Sequence, residues 1–331
     1  MNKGKCILLY SGGLDSLLAG KILIDQDIEV IGLHCILPYF PPDLDPEQLK
    51  ETIIAKQIGL KLIHYRCGED YINMLKNPQH GYGKHINPCI DCKIFFIRKA
   101  EELMIKTGAD FVATGEVVGQ RPMSQHKHTL IHIENSTLKG RLLRPLSAKL
   151  LAPTIPETEG IIDRKKLYDI SGRGRIRQIE LAKSFGITDF SSPAGGCLFT
   201  DQFIAARIKD LIKNDPDFKQ NDLYLLKIGR HFRINPSLKI IVSKNEIDTL
   251  DLEKYEQNSD YFFKPEFSGP SIYAKGIITE DDINIINSII CRYGKPTSDG
   301  NQINIFSHGN LYRKITTVEA IIDSKLEKFR I

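Results

Sequence analysis

A parallel α/β sheet with helices on both faces, followed by a smaller C-terminal α+β domain, is the fold class that the 331 residues predict. Short apolar runs alternate with stretches of helical period through the first half, the rhythm of a parallel sheet covered by helices. Glycine turns bound these runs, and the composition changes from about residue 222 onward. No internal repeat or low-complexity segment offers another architecture.

The first apolar run, 5–10, reads as a buried strand and leads directly into Ser11-Gly12-Gly13-Leu14-Asp15-Ser16. Residues 14–23 place apolar side chains at helical spacing. Strand 29–35, helix 46–59 and strand 61–66 continue the alternation. Residues 68–88 mix glycines, prolines and polar residues without a period and are expected to form a mobile loop. A helix over 89–107 and a strand over 111–114 follow. Between 142 and 192 the pattern is shorter and more basic, with a helix at 178–185. A helix over 201–213 then meets the breaker Asn214-Asp215-Pro216-Asp217. This divides the chain into domains 1–215 and 222–331. The second holds strands at 230–234 and 239–243, an amphipathic helix near 281–294 and an alternating run at 302–306.

A hydrophobic content of 41% and a charged content of 26% are those of a soluble protein, and the length allows two or three domains with real cores. No run is long and apolar enough to span a membrane. The first strand starts at residue 5, so a cleaved leader would remove the glycine loop; a cytoplasmic location is expected. The net charge of +4 is mild but unevenly spread. Residues 227–244 carry five Lys or Arg and no acid, and a second cluster comprises Arg164, Lys165, Lys166, Arg173, Arg175 and Arg177. Segregated positive charge can follow a phosphate backbone or simply face solvent.

Two glycines after a buried strand let the chain turn tightly and aim backbone N–H groups at a phosphate, while the helix dipole favours the anion. Asp15 and Ser16 fall in the first helical turn, where they can cap it or hold a metal. The loop is neither GxxxxGK[ST] nor GxGxxG. It resembles the SGGxDS signature of the PP-loop ATP pyrophosphatases, which cleave ATP between its α and β phosphates to adenylate a substrate.

Seven cysteines in such a chain point to metal or sulfur chemistry rather than to a disulfide framework. Cys6, Cys35, Cys67 and Cys291 lie in apolar runs and read as small buried side chains. Cys89 and Cys92 form a CxxC at a helix start, where the dipole acidifies thiols. Half of a zinc site, a redox dithiol and two iron-sulfur ligands are all open readings. Cys197, after Gly195-Gly196, makes a third thiol. Three thiolates can hold a cubane cluster with one iron open, or Cys197 can carry a persulfide that the CxxC resolves. His126, His128 and Lys93 read first as surface residues, and Arg144, amid apolar neighbours, as a phosphate ligand.

Together, SGGLDS, Ala113-Thr114-Gly115-Glu116 with Gly119-Gln120, the NPCIDC segment and GGCLF resemble the PP-loop tRNA thiolases, closest to the catalytic domain of the 4-thiouridine synthetase group. The resemblance spans about residues 3–210. It implies an adenine nucleotide alpha hydrolase-like domain and ATP-dependent replacement of a uridine oxygen by sulfur. Ser11, Gly12, Gly13, Ser16 and Gly115 would bind ATP, and Asp15 would position Mg²⁺. Cys89, Cys92 and Cys197 would hold a 4Fe-4S cluster. tRNA and a sulfur donor, either sulfide or a cysteine desulfurase persulfide, would be the partners; a homodimer is left open. Two departures stand out: the group typically places an N-terminal THUMP domain before the nucleotide strand, which here begins almost at residue 5, and the tail lacks an evident rhodanese active-site Cys loop. GRHFRI and Ser268-Gly269-Pro270-Ser271 resemble the RNA-binding module of NFACT proteins instead. Alternatives are 2-thiouridine synthesis, cluster-free persulfide transfer and a PP-loop amide- or amidine-forming ligase.

Overall fold

Period-two burial organises the first sheet. In β1 (Lys5–Leu9), Cys6 and Leu8 face one hydrophobic cluster and Ile7 the other, all three fully buried. A strand covered on both faces must be apolar throughout. The computed structural model describes residues 4–190, 197–297 and 301–331, and the chain divides into two compact units, Met1–Asp201 and Gln202–Ile331.

In the first unit, α1 (Leu14–Ile24), β2 (Glu29–Ile36), α2 (Lys50–Lys56), β3 (Lys61–Arg66), α3 (Glu69–Lys76), α4 (Cys89–Thr107), β4 (Phe111–Thr114), α5 (Lys127–Asn135), β5 (Leu142–Leu143), α6 (Ile155–Thr158) and α7 (Ile176–Ser184) follow β1. The sheet order is β3-β2-β1-β4-β5, with every pairing parallel. Leu14, Leu17 and Leu18 of α1 and Ala182 of α7 cover one face; Ile94, Ile97 and Ala100 of α4 and Ile133 of α5 cover the other. Each fully buried Leu or Ile contributes about 1.5–3 kcal/mol. The doubly covered parallel sheet expected from the sequence is what forms.

Local differences have local causes. The helix expected over 46–59 is a 3₁₀ turn, Pro46–Gln48, followed by α2. Residues 68–88 are not all loop, because Tyr71, Ile72 and Leu75 bury one face of α3. The basic run at 126–128 opens α5. Residues 191–196, including the predicted Gly195-Gly196 approach to Cys197, lie outside the described residues. Among the described residues no helix is long and apolar enough to cross a membrane.

The second unit contains α8 (Gln202–Asn214), α9 (Gln220–Leu225), β6 (Arg230–Asn235), β7 (Leu238–Val242), α10 (Glu246–Glu253), β8 (Tyr261–Pro265), β9 (Ile272–Gly276), α11 (Glu280–Tyr293), β10 (Gln302–Ser307), β11 (Asn310–Thr316) and α12 (Asp323–Leu326). Its antiparallel sheet has the order β11-β10-β8-β9-β7-β6. Ile283, Ile286, Ile289 and Ile290 of α11 cover one face, and Tyr224, Leu225 and Leu252 of α9 and α10 pack on the other.

The boundary falls before α8, not at the Asn214 breaker. Asp210 of α8 receives Arg233 of β6 through two hydrogen bonds, 2.9 Å from Nε and 2.7 Å from an Nη, and Lys239 of β7 lies 3.3 Å away. Arg233 also reaches Asp215 at 2.8 Å. These pairs fasten the helix to the antiparallel sheet. They also correct the reading of the basic run 227–244: Arg233 and Lys239 are neutralised internally rather than offered to a phosphate chain.

Candidate functional site

All parallel strands end at the same edge, so the loops after β1 and β4, the segment after β3 and the start of α4 gather there. Tyr10 fixes the end of β1, donating its N–H to Leu33 O (3.0 Å) and its hydroxyl to Glu51 O (3.0 Å). The loop then turns through Gly12 at φ +74°, a left-handed conformation suited to glycine. Ser16 Oγ donates to Gly13 O at 2.8 Å and accepts from Ser11 N–H at 3.3 Å. Gly13 caps α1 without a side-chain hydrogen bond, so the first-turn N–H groups are left for a ligand.

Asp15 occupies the first turn of α1. Its Oδ2 accepts from Gln120 Nε2 at 3.1 Å and lies 3.5 Å from an Arg175 Nη. Its buried Oδ1 has no partner. A buried unpartnered carboxylate oxygen beside a glycine loop is a ready cation ligand. Gly115 packs closely against the same turn: a Cβ there would lie 2.4 Å from Ser16 N and 2.5 Å from Asp15 C, so its bareness lets the loop after β4 approach α1.

Behind this loop, Glu116 is buried and bonded by Thr114 Oγ1 at 3.2 Å. Arg144, 2% exposed, donates from Nε to Glu116 at 3.2 Å, from Nη1 to Glu134 at 2.8 Å and from Nη2 to Leu130 O at 3.1 Å. The guanidinium is thus spent inside the protein, which corrects the phosphate role expected for it. The second Glu116 oxygen faces Lys93 Nζ at 3.4 Å. Burial pushes the Glu116 carboxyl up, but Lys93 and then Arg144 outweigh it and hold the group below its ordinary value.

Lys93 follows Cys92 in the first turn of α4. Asn87 Nδ2 donates to Cys89 Sγ at 3.0 Å, and the Tyr71 hydroxyl lies 3.5 Å from Cys92 Sγ. Burial raises the Cys92 thiol to about 12, with Cys197 and Cys89 adding to the rise against the Tyr71 hydrogen bond and Lys93. Cys197 is exposed at the start of a 3₁₀ turn. The three predicted thiols therefore share one electrostatic neighbourhood. Among the described residues, no three His, Cys, Asp or Glu side chains are already arranged around a metal point. Three soft sulfur donors without a competing disulfide nevertheless fit a cluster chemically.

Several neighbours escaped the sequence. Cys67 hydrogen-bonds Cys35, which together with burial pushes its thiol up, so two cysteines read as filler flank the same edge. Asp91, inside the CxxC, accepts Gln79 N and His80 N at 3.0 Å and pairs with His80 Nδ1 at 3.0 Å. His80 Nε2 meets His132 Nε2 at 2.8 Å. Arg175 contacts Asp15 across 160 positions, beyond any local pattern.

Two family models match. One, described as Thiamine biosynthesis protein (ThiI), covers residues 1–149; the other, NFACT protein RNA binding domain, covers 229–330. The Probable tRNA sulfurtransferase of Alkaliphilus metalliredigens (strain QYMF) is 28% identical over 152 residues, 44% of this chain and 36% of that protein. This chain therefore spans little more than a third of that relative. A 4-thiouridine synthetase solved with RNA and bound ATP is 19% identical, with a TM-score of 0.34, over 56% of this chain and 52% of that one. U34-tRNA thiolase NcsA from Methanococcus maripaludis, solved with its [4Fe-4S] cluster, is 17% identical, with a TM-score of 0.33, over 68% of this chain and 70% of that one. Residues 1–149 are thus similar to the ThiI family, and residues 229–330 to the NFACT protein RNA binding domain.

Proposed function

We propose that the protein is a cytoplasmic, ATP-dependent tRNA sulfurtransferase that converts a uridine to 4-thiouridine. The observation that carries this reading is the convergence on one sheet edge of a glycine loop with an unpartnered Asp15 oxygen and an α4 start bearing Cys89, Cys92 and Lys93. The ThiI-family match over the same residues supports it.

The chemistry follows from a poor leaving group. The uridine carbonyl oxygen attacks the α-phosphorus of ATP and pyrophosphate departs. Sulfide then adds at the activated carbon and AMP leaves with the oxygen. If a desulfurase persulfide adds instead, the base is left joined to the donor through an S–S bond, and a Cys89, Cys92 or Cys197 thiolate attacks the donor sulfur, releases the thiocarbonyl and ends as a disulfide. Gly12, Gly13, Ser11 and Ser16 would hold phosphate oxygens through N–H and hydroxyl groups, and Asp15 Oδ1 would ligate Mg²⁺. Lys93, steered by Glu116, supplies positive charge between the loop and the thiols. Cys89, Cys92 and Cys197 would hold a 4Fe-4S cluster, which supplies an iron with an open coordination position for sulfur chemistry.

The test is anaerobic purification of the full chain, followed by reaction with tRNA, Mg-ATP and sulfide and nucleoside mass spectrometry. A brown protein that forms 4-thiouridine, with both colour and product lost in Cys197→Ala and pyrophosphate release lost in Asp15→Ala, is expected. A colourless protein that still thiolates would replace the cluster with persulfide transfer. Formation of 2-thiouridine would move the target atom. Pyrophosphate release with an amide or amidine product would make the protein a ligase.

A further inference from the structure

Exposed positive charge of the second unit extends onto α8, ahead of the basic run 227–244, where Arg233 and Lys239 are paired internally. Lys209 and Lys213 stand four positions apart on the exposed side of α8, while Ile204, Ala205, Ile208 and Leu211 bury the other side. Side chains at this spacing are surface neighbours, with Cβ atoms about 5–6 Å apart. Among the described residues neither lysine has an acidic partner. Beside them opens a solvent-facing cavity of about 450 Å³, lined by Lys209, Lys213, Asn214, Arg233 and Asn235.

The carboxylates at this wall do not repel an anion. Asp210 is held by Arg233 and Lys239, and Asp215 by Arg233. With those pairs closed and Arg233 engaged by Asp210, Asp215 and Pro236 O, the two α8 lysines supply the positive charge in excess at this wall. An open, cationic groove flanked by amide side chains suits a charged chain passing through it rather than an enclosed small molecule.

We propose that the groove between α8 and the β6–β7 turn grips the phosphodiester backbone of RNA, with Lys209 and Lys213 as its phosphate contacts. This rests on the tRNA substrate of the proposed function and adds a surface largely outside residues 229–330 matched by the RNA binding family. α8 would thus extend the RNA-binding surface beyond that domain. Contacts to phosphate alone carry no sequence information, so the groove would set affinity and register, not the choice of base.

The test uses the full chain and measures tRNA affinity by fluorescence anisotropy over a salt series. K209E/K213E should weaken binding about tenfold or more and flatten the dependence of log K on log salt by roughly 1.5, the value for two lost single-strand contacts. K209A/K213A should show the same direction with a smaller loss. K325E/K328E makes the same change in net charge elsewhere on the unit and should have little effect. Circular dichroism checks that each variant folds. Equal weakening in both glutamate pairs would reduce the effect to net charge and overturn the groove, as would no change in K209E/K213E. Failure of the wild-type chain to bind tRNA would instead remove the underlying reading. Displacement of bound tRNA by polyglutamate as readily as by unlabelled tRNA would mark an acidic-peptide site and overturn the RNA assignment.

Discussion

At Cys92, burial overrides position. A thiol in the first turn of a helix is ordinarily acidified by N–H groups and the dipole. Here burial comes first, and Cys197 and Cys89 add to it, so the thiol rises to about 12 against Tyr71 and Lys93. Without a bound metal the neutral thiol therefore persists through physiological pH. We expect iodoacetamide labelling of Cys92 in the metal-free chain to climb close to tenfold per pH unit from 7 to 10 without a plateau, followed by peptide mass spectrometry. A rate already flat above pH 9 would show that the thiolate forms earlier and that hydrogen bonding, not burial, dominates. Arg144 illustrates the same ordering of effects. Its type and apolar neighbours drew attention correctly, but its partners Glu116 and Glu134 lie 28 and 10 positions away, and only folding reveals that they neutralise it. The glycine loop and CxxC were legible because their chemistry is contiguous in sequence. Gln120 and Arg175 at Asp15 were not, because each contact closes over more than 100 residues.

The junction of β4 with α1 shows how an element can depend on one missing atom. Gly115 brings the loop after β4 against the backbone of Asp15 and Ser16, and rigid backbone cannot yield as a side-chain tip can. Gly115→Ala should cost about 1–3 kcal/mol by overpacking and displace the first turn of α1. Urea denaturation would read the stability loss, and ATP binding by calorimetry should fall by more than stability alone accounts for. Unchanged affinity would mean that the first turn keeps its place or does not hold the nucleotide. The strands were the most legible elements, since Cys6 to Leu8 and Phe111 to Ala113 are buried on both faces and read as unbroken apolar runs. The short α3 was lost because eight residues between a glycine and a turn give the 3.6 period little room. α8 was recognised as a helix but assigned to the wrong neighbour, since Asp210 announces nothing until Arg233 and Lys239 fold onto it.

Across the whole chain, each unit builds its own core and its own buried ion network. Arg144 and Glu116 serve the first, and Asp210, Arg233 and Lys239 the second. Removing one partner of such a network leaves an uncompensated buried charge, at a cost of about 3–5 kcal/mol. A loss of that size exceeds the ordinary effect of a surface substitution and should register first where the network lies. Arg144→Met should therefore lower the urea midpoint for peptides of residues 4–190, and Asp210→Asn the midpoint for peptides of residues 202–331, each with a smaller effect on the other unit. Hydrogen exchange resolved by peptide mass spectrometry at graded urea reads both at once, which a chain without tryptophan does not allow by intrinsic indole fluorescence. If either substitution moved both sets of peptides equally, the chain would unfold as one cooperative body, and the stability of the glycine loop would depend on the second unit as much as on its own sheet.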